Sequence, residues 1–252
     1  MQRYYTTPAG EYNTLYADML NQVHLLIAGC TGSGKSTVVN GIMETALLQA
    51  PSSIQFVLID PKGTELVEYS TLPHVLQYAQ ETKDCVQALK NTLELTKQRF
   101  DAMKRAGARM YDGSDVYVII DELMFLLNRP QYKRIAMDVL QDILVIARAA
   151  RVHVIACTQS PTKDTGLPVN LRCNFDTRLG LRTTTAQDSR NILGIAGLEK
   201  YPVPQIEHIA KGIYMHSGIM ECYNLPKDNP RNRARLIAYW KRHKKPKLRL
   251  FA

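Results

Sequence analysis

Residues 29–36 read Gly29-Cys30-Thr31-Gly32-Ser33-Gly34-Lys35-Ser36 and fit the phosphate-loop pattern G-x-x-x-x-G-K-[ST] in full. The apolar run His24–Ala28 precedes them, and Val39, Ile42, Met43 and Ala46 recur at helical spacing behind them, so the pattern lies between a strand and a helix. In that setting glycines let successive backbone N–H groups turn toward a triphosphate, and the helix N-terminus adds a favourable dipole. The candidate contacts to ATP are Gly29, Thr31, Gly32, Ser33, Gly34, Lys35, Ser36 and Thr37, with Lys35 on the β/γ-phosphates and Ser36 offering an oxygen to Mg²⁺. Cys30 inside the loop reads as a small filler rather than an activated thiol.

Two further polar clusters follow apolar runs. Val116–Ile120 ends in Asp121-Glu122, which supplies one carboxylate, Asp121, to hold Mg²⁺ and another, Glu122, to polarise an attacking water. Acids commonly end strands, and only the pairing with the phosphate loop makes this an indication of nucleoside triphosphate hydrolysis. The run Val152–Cys157 ends in Thr158-Gln159, where the Gln159 amide can sense a γ-phosphate and hydrogen-bond the water, a turn role being its alternative.

The elements that must position these groups form the series strand, turn, amphipathic helix. After His24–Ala28, a helix is expected over Lys35–Gln49, closed by Pro51; a strand over Ile54–Ile59, ending in Asp60-Pro61-Lys62; and a long helix from Thr82 to a stop at Gly107. A helix from Gln131 to about Arg151 precedes the strand Val152–Cys157. The pattern predicts an α/β fold with a mainly parallel sheet flanked by helices, its strands buried on both faces, and the polar clusters at the strands' carboxyl ends converge on one edge. Residues 183–194 read as a short capped helix with a glycine stop, and Ile213–Tyr223 as a closing hairpin. We expect a lead-in over residues 1–22, a motor over 23–226 and a basic tail over 227–252.

The tail carries the charge. The chain has 252 residues and a formal net charge of +9; residues 227–252 hold ten of its 32 Lys/Arg and only one acid, Asp228, so the remainder is neutral at 22 against 22. Such a segment suits a polyanion such as nucleic acid or an acidic membrane surface, with a solvated tail that only aids solubility as the alternative, and it is expected to be dispensable for the motor's fold and nucleotide binding. Tyr239 and Trp240 could stack on bases there, but with Leu236 and Ile237 they better suit the apolar face of a docking helix. Five cysteines, none closer than sixteen residues to the next, fit neither a zinc site nor a disulfide ladder, and the six histidines lack ligand spacing. No run of eighteen apolar residues and no apolar leader is present, which gives the expectation of a cytoplasmic chain.

Taken with His24–Gly29, Ile59-Asp60-Pro61-Lys62, Glu65-Leu66, Leu72-Pro73-His74, Ala147–Ala150, Ala156–Pro161 and Asp188-Ser189-Arg190, the sequence resembles the motor domain of FtsK/SpoIIIE-type DNA translocases, from about Leu15 to Ser217. The resemblance implies a RecA-like ATPase that forms a ring, usually hexameric, around double-stranded DNA. It puts Arg148 where the family places an arginine that acts on the neighbouring subunit's nucleotide; Arg190 could contact nucleotide at a subunit boundary, with a plain surface charge on a short exposed helix as the alternative. We expect the protein to do without the anchor, linker domain and winged helix usual in the family, and its sensor strand has Cys157 and Ser160 in place of Ala and Arg. It is therefore most similar to compact FtsK-like proteins of plasmids and integrative elements, with any membrane or DNA-processing contact made through a partner protein. A secretion motor that moves protein is the alternative, and a nucleotide kinase a distant third, since no arginine-rich lid is present.

Overall fold

A computed structural model describes residues 22–49, 52–159, 167–201, 212–214 and 230–242. The lead-in before Gln22, Pro51, Ser160-Pro161, Cys222, the hairpin beyond Tyr214 and the tail beyond Arg242 lie outside the described residues.

Seven strands form one sheet: β1 (His24–Ala28), β2 (Ile54–Ile59), β3 (Val75–Ala79), β4 (Asp115–Ile120), β5 (Val152–Thr158), β6 (Thr177–Leu181) and β7 (Gly212–Tyr214). Their order is β3-β2-β4-β5-β1-β6-β7. The first six are parallel, and β7 runs antiparallel to β6, with Leu179 opposite Tyr214. The expected closing hairpin thus begins at a strand whose described partner is β6.

Alternate residues of each central strand enter opposite cores, as a sheet covered on both faces requires. In β4, Tyr117 and Ile119 join one core while Val116, Val118 and Ile120 join the other; in β5, Ile155 and Cys157 oppose Val152, Val154 and Ala156. The first face is covered by α1 (Lys35–Gln49), and the second by α2 (Thr82–Ala106), α3 (Leu123–Leu127), α4 (Pro130–Ile146) and α5 (Val169–Cys173). The connections after β1 and β2 therefore go to one face and the connections after β3, β4 and β5 go to the other. The crevice between diverging connections is the usual ligand position of such sheets.

α2 ends as expected at Gly107, whose φ of 63° only glycine adopts without strain; its N–H donates to the Lys104 carbonyl, and Ala108 N–H donates to that of Met103. α4 stops earlier than its apolar pattern suggests, at Ile146 rather than Arg151, because residues 147–151 turn sharply and Arg151 takes a left-handed φ of 55°. α6 (Ala186–Leu193) has the expected cap, with Thr185 Oγ1 accepting from Asp188 N–H, and stops at Gly194. His74 and His153 are packing residues as expected: His74 meets Trp240 edge-on at 5.0 Å, and His153 stacks on Tyr117 at 4.9 Å.

The tail docks on the motor as the apolar spacing of Leu236, Ile237 and Trp240 leads us to expect. In α7 (Pro230–Arg242), Ile237 and Trp240 are buried in the core on the α1 face, with Leu236 packed beside them. Arg235, Lys241 and Arg242 are exposed on the same helix. Among the described residues, no helix is long and apolar enough to cross a membrane.

Candidate functional site

The loop after β1 is fastened to the strands on both sides. Gly29 N–H donates to the Thr158 carbonyl at 3.2 Å, and Cys30 N–H donates to the Arg182 carbonyl at 2.8 Å. A Cβ on Gly29 would lie 2.6 Å from Ser33 Oγ and 2.8 Å from Leu181 Cβ, so only glycine fits there. Gly32 and Gly34 take φ values of 73° and 97°, which turns the intervening N–H groups to one side before α1 begins. Lys35 folds back so that Nζ donates to the carbonyls of Gly29 and Cys30, at 2.9 and 3.0 Å. Burial lowers its pKa, opposed by the nearby thiols and the carboxylates of Glu122 and Asp121. Ser36 and Thr37 start α1 directly behind it. The Oγ of Ser33 is buried and has no hydrogen-bond partner among the described residues.

Asp121 and Glu122 emerge from β4, two strands from β1 across β5. Glu122 is 6% exposed, its Oε1 has no partner among the described residues, and Oε2 lies 3.8 Å from Lys62 Nζ. Burial raises its carboxyl pKa, with Lys62 and then Lys35 opposing the rise. Asp121 is pushed up to about 6, first by burial and then by the charges of Asp60, Glu65 and Glu122. Such a crowd of carboxylates favours a cation beside Asp121. Gln159 completes the group: its Oε1 accepts from Thr31 Oγ1 at 3.2 Å, which ties the end of β5 to the phosphate loop.

The structure thus brings together Gly29, Thr31, Gly32, Ser33, Gly34, Lys35, Ser36, Thr37, Asp121, Glu122 and Gln159 at one edge of the sheet. It does not bring Arg148 there. Arg148 is exposed in the turn before β5, and the seven residues of β5 separate it by roughly 20 Å from the edge that bears the loop. Arg190 is exposed on α6, which follows β6.

Three groups have roles that sequence reasoning left unassigned. Asp60 is fully buried, its carboxylate accepting from the N–H groups of Gly63, Glu65 and Leu66, and so it shapes the loop that carries Lys62. Lys62 lines a cavity of about 420 Å³ with Glu122, Phe125, Asn128, Arg129 and Gln159. Arg182 lies against the phosphate loop, with one guanidinium nitrogen 3.4 Å from Cys30 Sγ and Nε donating to the Tyr201 carbonyl at 3.0 Å. The Asp60-Pro61-Lys62 strand end is a signal for the first two; nothing in the local sequence singles out Arg182.

A sequence model of the FtsK/SpoIIIE family matches residues 7–215. DNA translocase FtsK of Oceanobacillus iheyensis is 34% identical over 196 residues, covering 70% of this chain and 25% of that protein. DNA translocase SpoIIIE of Bacillus subtilis is 32% identical over 203 residues, covering 73% of this chain and 26% of its own length. The chain therefore spans about a quarter of the length of these relatives. Among solved structures, the pCW3 conjugation coupling protein TcpA, in its monomer form with ATPγS, superposes with a TM-score of 0.76 at 17% identity, over 90% of this chain and 66% of that one. The cytoplasmic domain of the type VII secretion ATPase EccC of Thermomonospora curvata gives 0.71 at 19% identity, over 91% of this chain and 29% of that one. These likenesses show the fold of RecA-like P-loop ATPases, and the family match over residues 7–215 shows that the chain belongs to the FtsK/SpoIIIE family.

Proposed function

We propose that this chain is the ATP-hydrolysing motor of a double-stranded DNA translocase, built as a ring, with six subunits as the expected number. One observation carries the reading. The residues that can bind and hydrolyse ATP meet at the carboxyl edge of the sheet, while Arg148 stands at the opposite edge, where the nucleotide it can reach is another subunit's. Head-to-tail contacts that place one subunit's Arg148 edge against the next subunit's phosphate loop are heterologous, the kind of contact that forms a ring when the rotation between subunits closes.

Within one site, the N–H groups of Gly32, Ser33 and Gly34 and the Lys35 ammonium take the phosphates. Ser36 and Asp121 would hold Mg²⁺, which when bound neutralises charge on the phosphate oxygens. Glu122, whose ionised form Lys62 and Lys35 favour against the effect of burial, orients the attacking water and takes its proton. Gln159, already tied to Thr31, reports the γ-phosphate to the end of β5. An arginine supplied in trans, Arg148, stabilises the charge on the transferring phosphoryl group, with Arg190 as a second cation at the boundary.

DNA as the substrate is supported by the names of the relatives, which exceed the secretion ATPases in identity to this chain, 34% and 32% against 19%. The exposed cations of α7 suit the same polyanion. The shared fold of EccC makes protein transport the second reading. We place the motor in the cytoplasm, reaching any membrane through a partner protein, in the service of a plasmid or integrative element. ATP turnover with and without duplex DNA, across a salt series, tests the proposal. Stimulation that fades with salt is expected, and turnover indifferent to DNA at every salt concentration would favour the secretion reading.

A further inference from the structure

The turn that presents Arg148 is held at every carbonyl. Val152 N–H donates to the Ala147 carbonyl and Arg151 N–H to that of Arg148, both at 3.2 Å. Tyr111 N–H donates to the Ala149 carbonyl at 2.9 Å, and Val116 N–H to that of Arg151 at 2.9 Å. The remaining donor is a side chain: Arg99, 5% exposed and rising from α2, donates to the Ala150 carbonyl at 2.8 Å and to the Arg151 carbonyl at 3.2 Å. Its guanidinium lies 4.4 Å over the Tyr111 ring, so two of the residues that reach the turn from outside also brace each other.

A second anchor acts through Arg151. Its guanidinium forms a two-pronged pair with Asp115, Nε to Oδ1 at 2.9 Å and the terminal nitrogen to Oδ2 at 2.5 Å, and His153 Nε2 lies 3.0 Å from the same Oδ1. The pair holds Arg151 in its left-handed backbone, the one positive φ of a residue other than glycine among the described residues. Such conformations persist where the surroundings over-determine them. In the midst of this, Arg148 is exposed, and its guanidinium has no hydrogen bond or ion pair among the described residues.

Burying a cation such as Arg99 to satisfy two carbonyls is an expensive way to fasten a surface turn. It is explicable when the turn must aim a free charge. We propose that Arg99, together with the Asp115–Arg151 pair, is a positioning device that pre-orders residues 147–151 so that Arg148 projects toward the neighbouring subunit's nucleotide. The proposal rests on the trans role of Arg148. It assigns Arg99, a residue roughly the length of β5 from its own phosphate loop, to the catalytic event of another subunit.

The test is complementation in mixed rings, read as ATP turnover with ATP-analogue binding and thermal melting as checks of the fold. Arg99→Met alone should lose about 10- to 100-fold in kcat with its own ATP affinity unchanged, as expected for misplaced transition-state contacts. Mixed with Lys35→Ala subunits, it should recover activity, because some interfaces then pair an intact loop with an intact turn. Mixed with Arg148→Ala subunits, it should not recover, since every interface lacks an effective Arg148. Recovery with Arg148→Ala, or failure with Lys35→Ala while Arg148→Ala recovers with Lys35→Ala, would overturn the positioning role and leave the trans reading standing. Failure of Arg148→Ala to recover with Lys35→Ala in demonstrably mixed rings would overturn both. Arg151→Gly, which tolerates the positive φ but removes the Asp115 anchor, should show the same pattern, and it decides the matter if Arg99→Met does not fold.

Discussion

Replacing Asp121 by asparagine removes a charge that the fold holds against its preference. Burial and the carboxylates of Asp60, Glu65 and Glu122 raise the Asp121 pKa from its ordinary 3.8 to about 6. The folded protein therefore binds this proton more tightly than the unfolded chain does, and between about pH 4 and 6 the folded state loses stability as pH rises. At about 1.4 kcal/mol per tenfold in proton affinity, the full effect has a ceiling of about 3 kcal/mol. Partial exposure of the site screens that to about 1–2 kcal/mol. The nucleotide-free Asp121→Asn protein should then match the parent below pH 4, gain on it through pH 4–6 and keep the gain above. For a chain of this size, that corresponds to roughly 2–8 °C in Tm at neutral pH. Denaturation of both proteins across pH 4–8 reads the effect directly. Mg²⁺ with a non-hydrolysable ATP analogue should close the gap by stabilising the parent alone. An Asp121→Asn protein no more stable than the parent at pH 7.5, or a gap independent of pH, would refute the reasoning that this carboxylate waits for a cation.

Lys35→Ala should abolish productive ATP use, whereas Glu122→Gln should bind ATP normally and lose about 10²-fold or more in turnover; equilibrium binding beside kcat separates the two. Lys62→Met removes the cation 3.8 Å from Glu122, so the Glu122 carboxyl pKa should rise further and the acid limb of the kcat profile should move to higher pH with KM little changed; an unmoved limb contradicts the pairing. Trp240→Ala should destabilise the motor by about 3–5 kcal/mol in a melting experiment, because α7 belongs to the core. Exchanging exposed Arg235, Lys241 and Arg242 for serine should leave the fold intact and lower duplex affinity, flattening its salt slope by about 0.9 for each phosphate that no longer meets a cation.

Much of this architecture is legible in the order of the residues. Strands β1, β2, β4 and β5 are continuous apolar runs because both of their faces are covered, and the phosphate loop, Asp121-Glu122 and Gln159 follow from where those runs end. The outlying strands β3, at one edge, and β6, next to the edge strand β7, are not legible. β3 reads Val-Leu-Gln-Tyr-Ala and β6 Thr-Arg-Leu-Gly-Leu, each short and interrupted by polar residues or glycine that partial burial tolerates. The end of α4 is hidden because its alanines and arginines continue a helical pattern that Arg99 and Tyr111 interrupt from distant parts of the chain. Lys62 and Arg182 acquire meaning only when their loops meet Glu122 and Cys30 in space. The tail illustrates the opposite case, where charge suggests an arm but the apolar spacing of Ile237 and Trp240 correctly indicates docking.

The most direct measurement of the central claim is displacement of a third strand annealed to duplex DNA, followed in the presence of ATP. The parent protein is expected to strip the third strand processively, in step with hydrolysis, while Glu122→Gln binds the duplex and ATP yet leaves the third strand in place. ATP hydrolysis that DNA stimulates without any displacement by the parent, or displacement by Glu122→Gln equal to the parent's, would contradict the account.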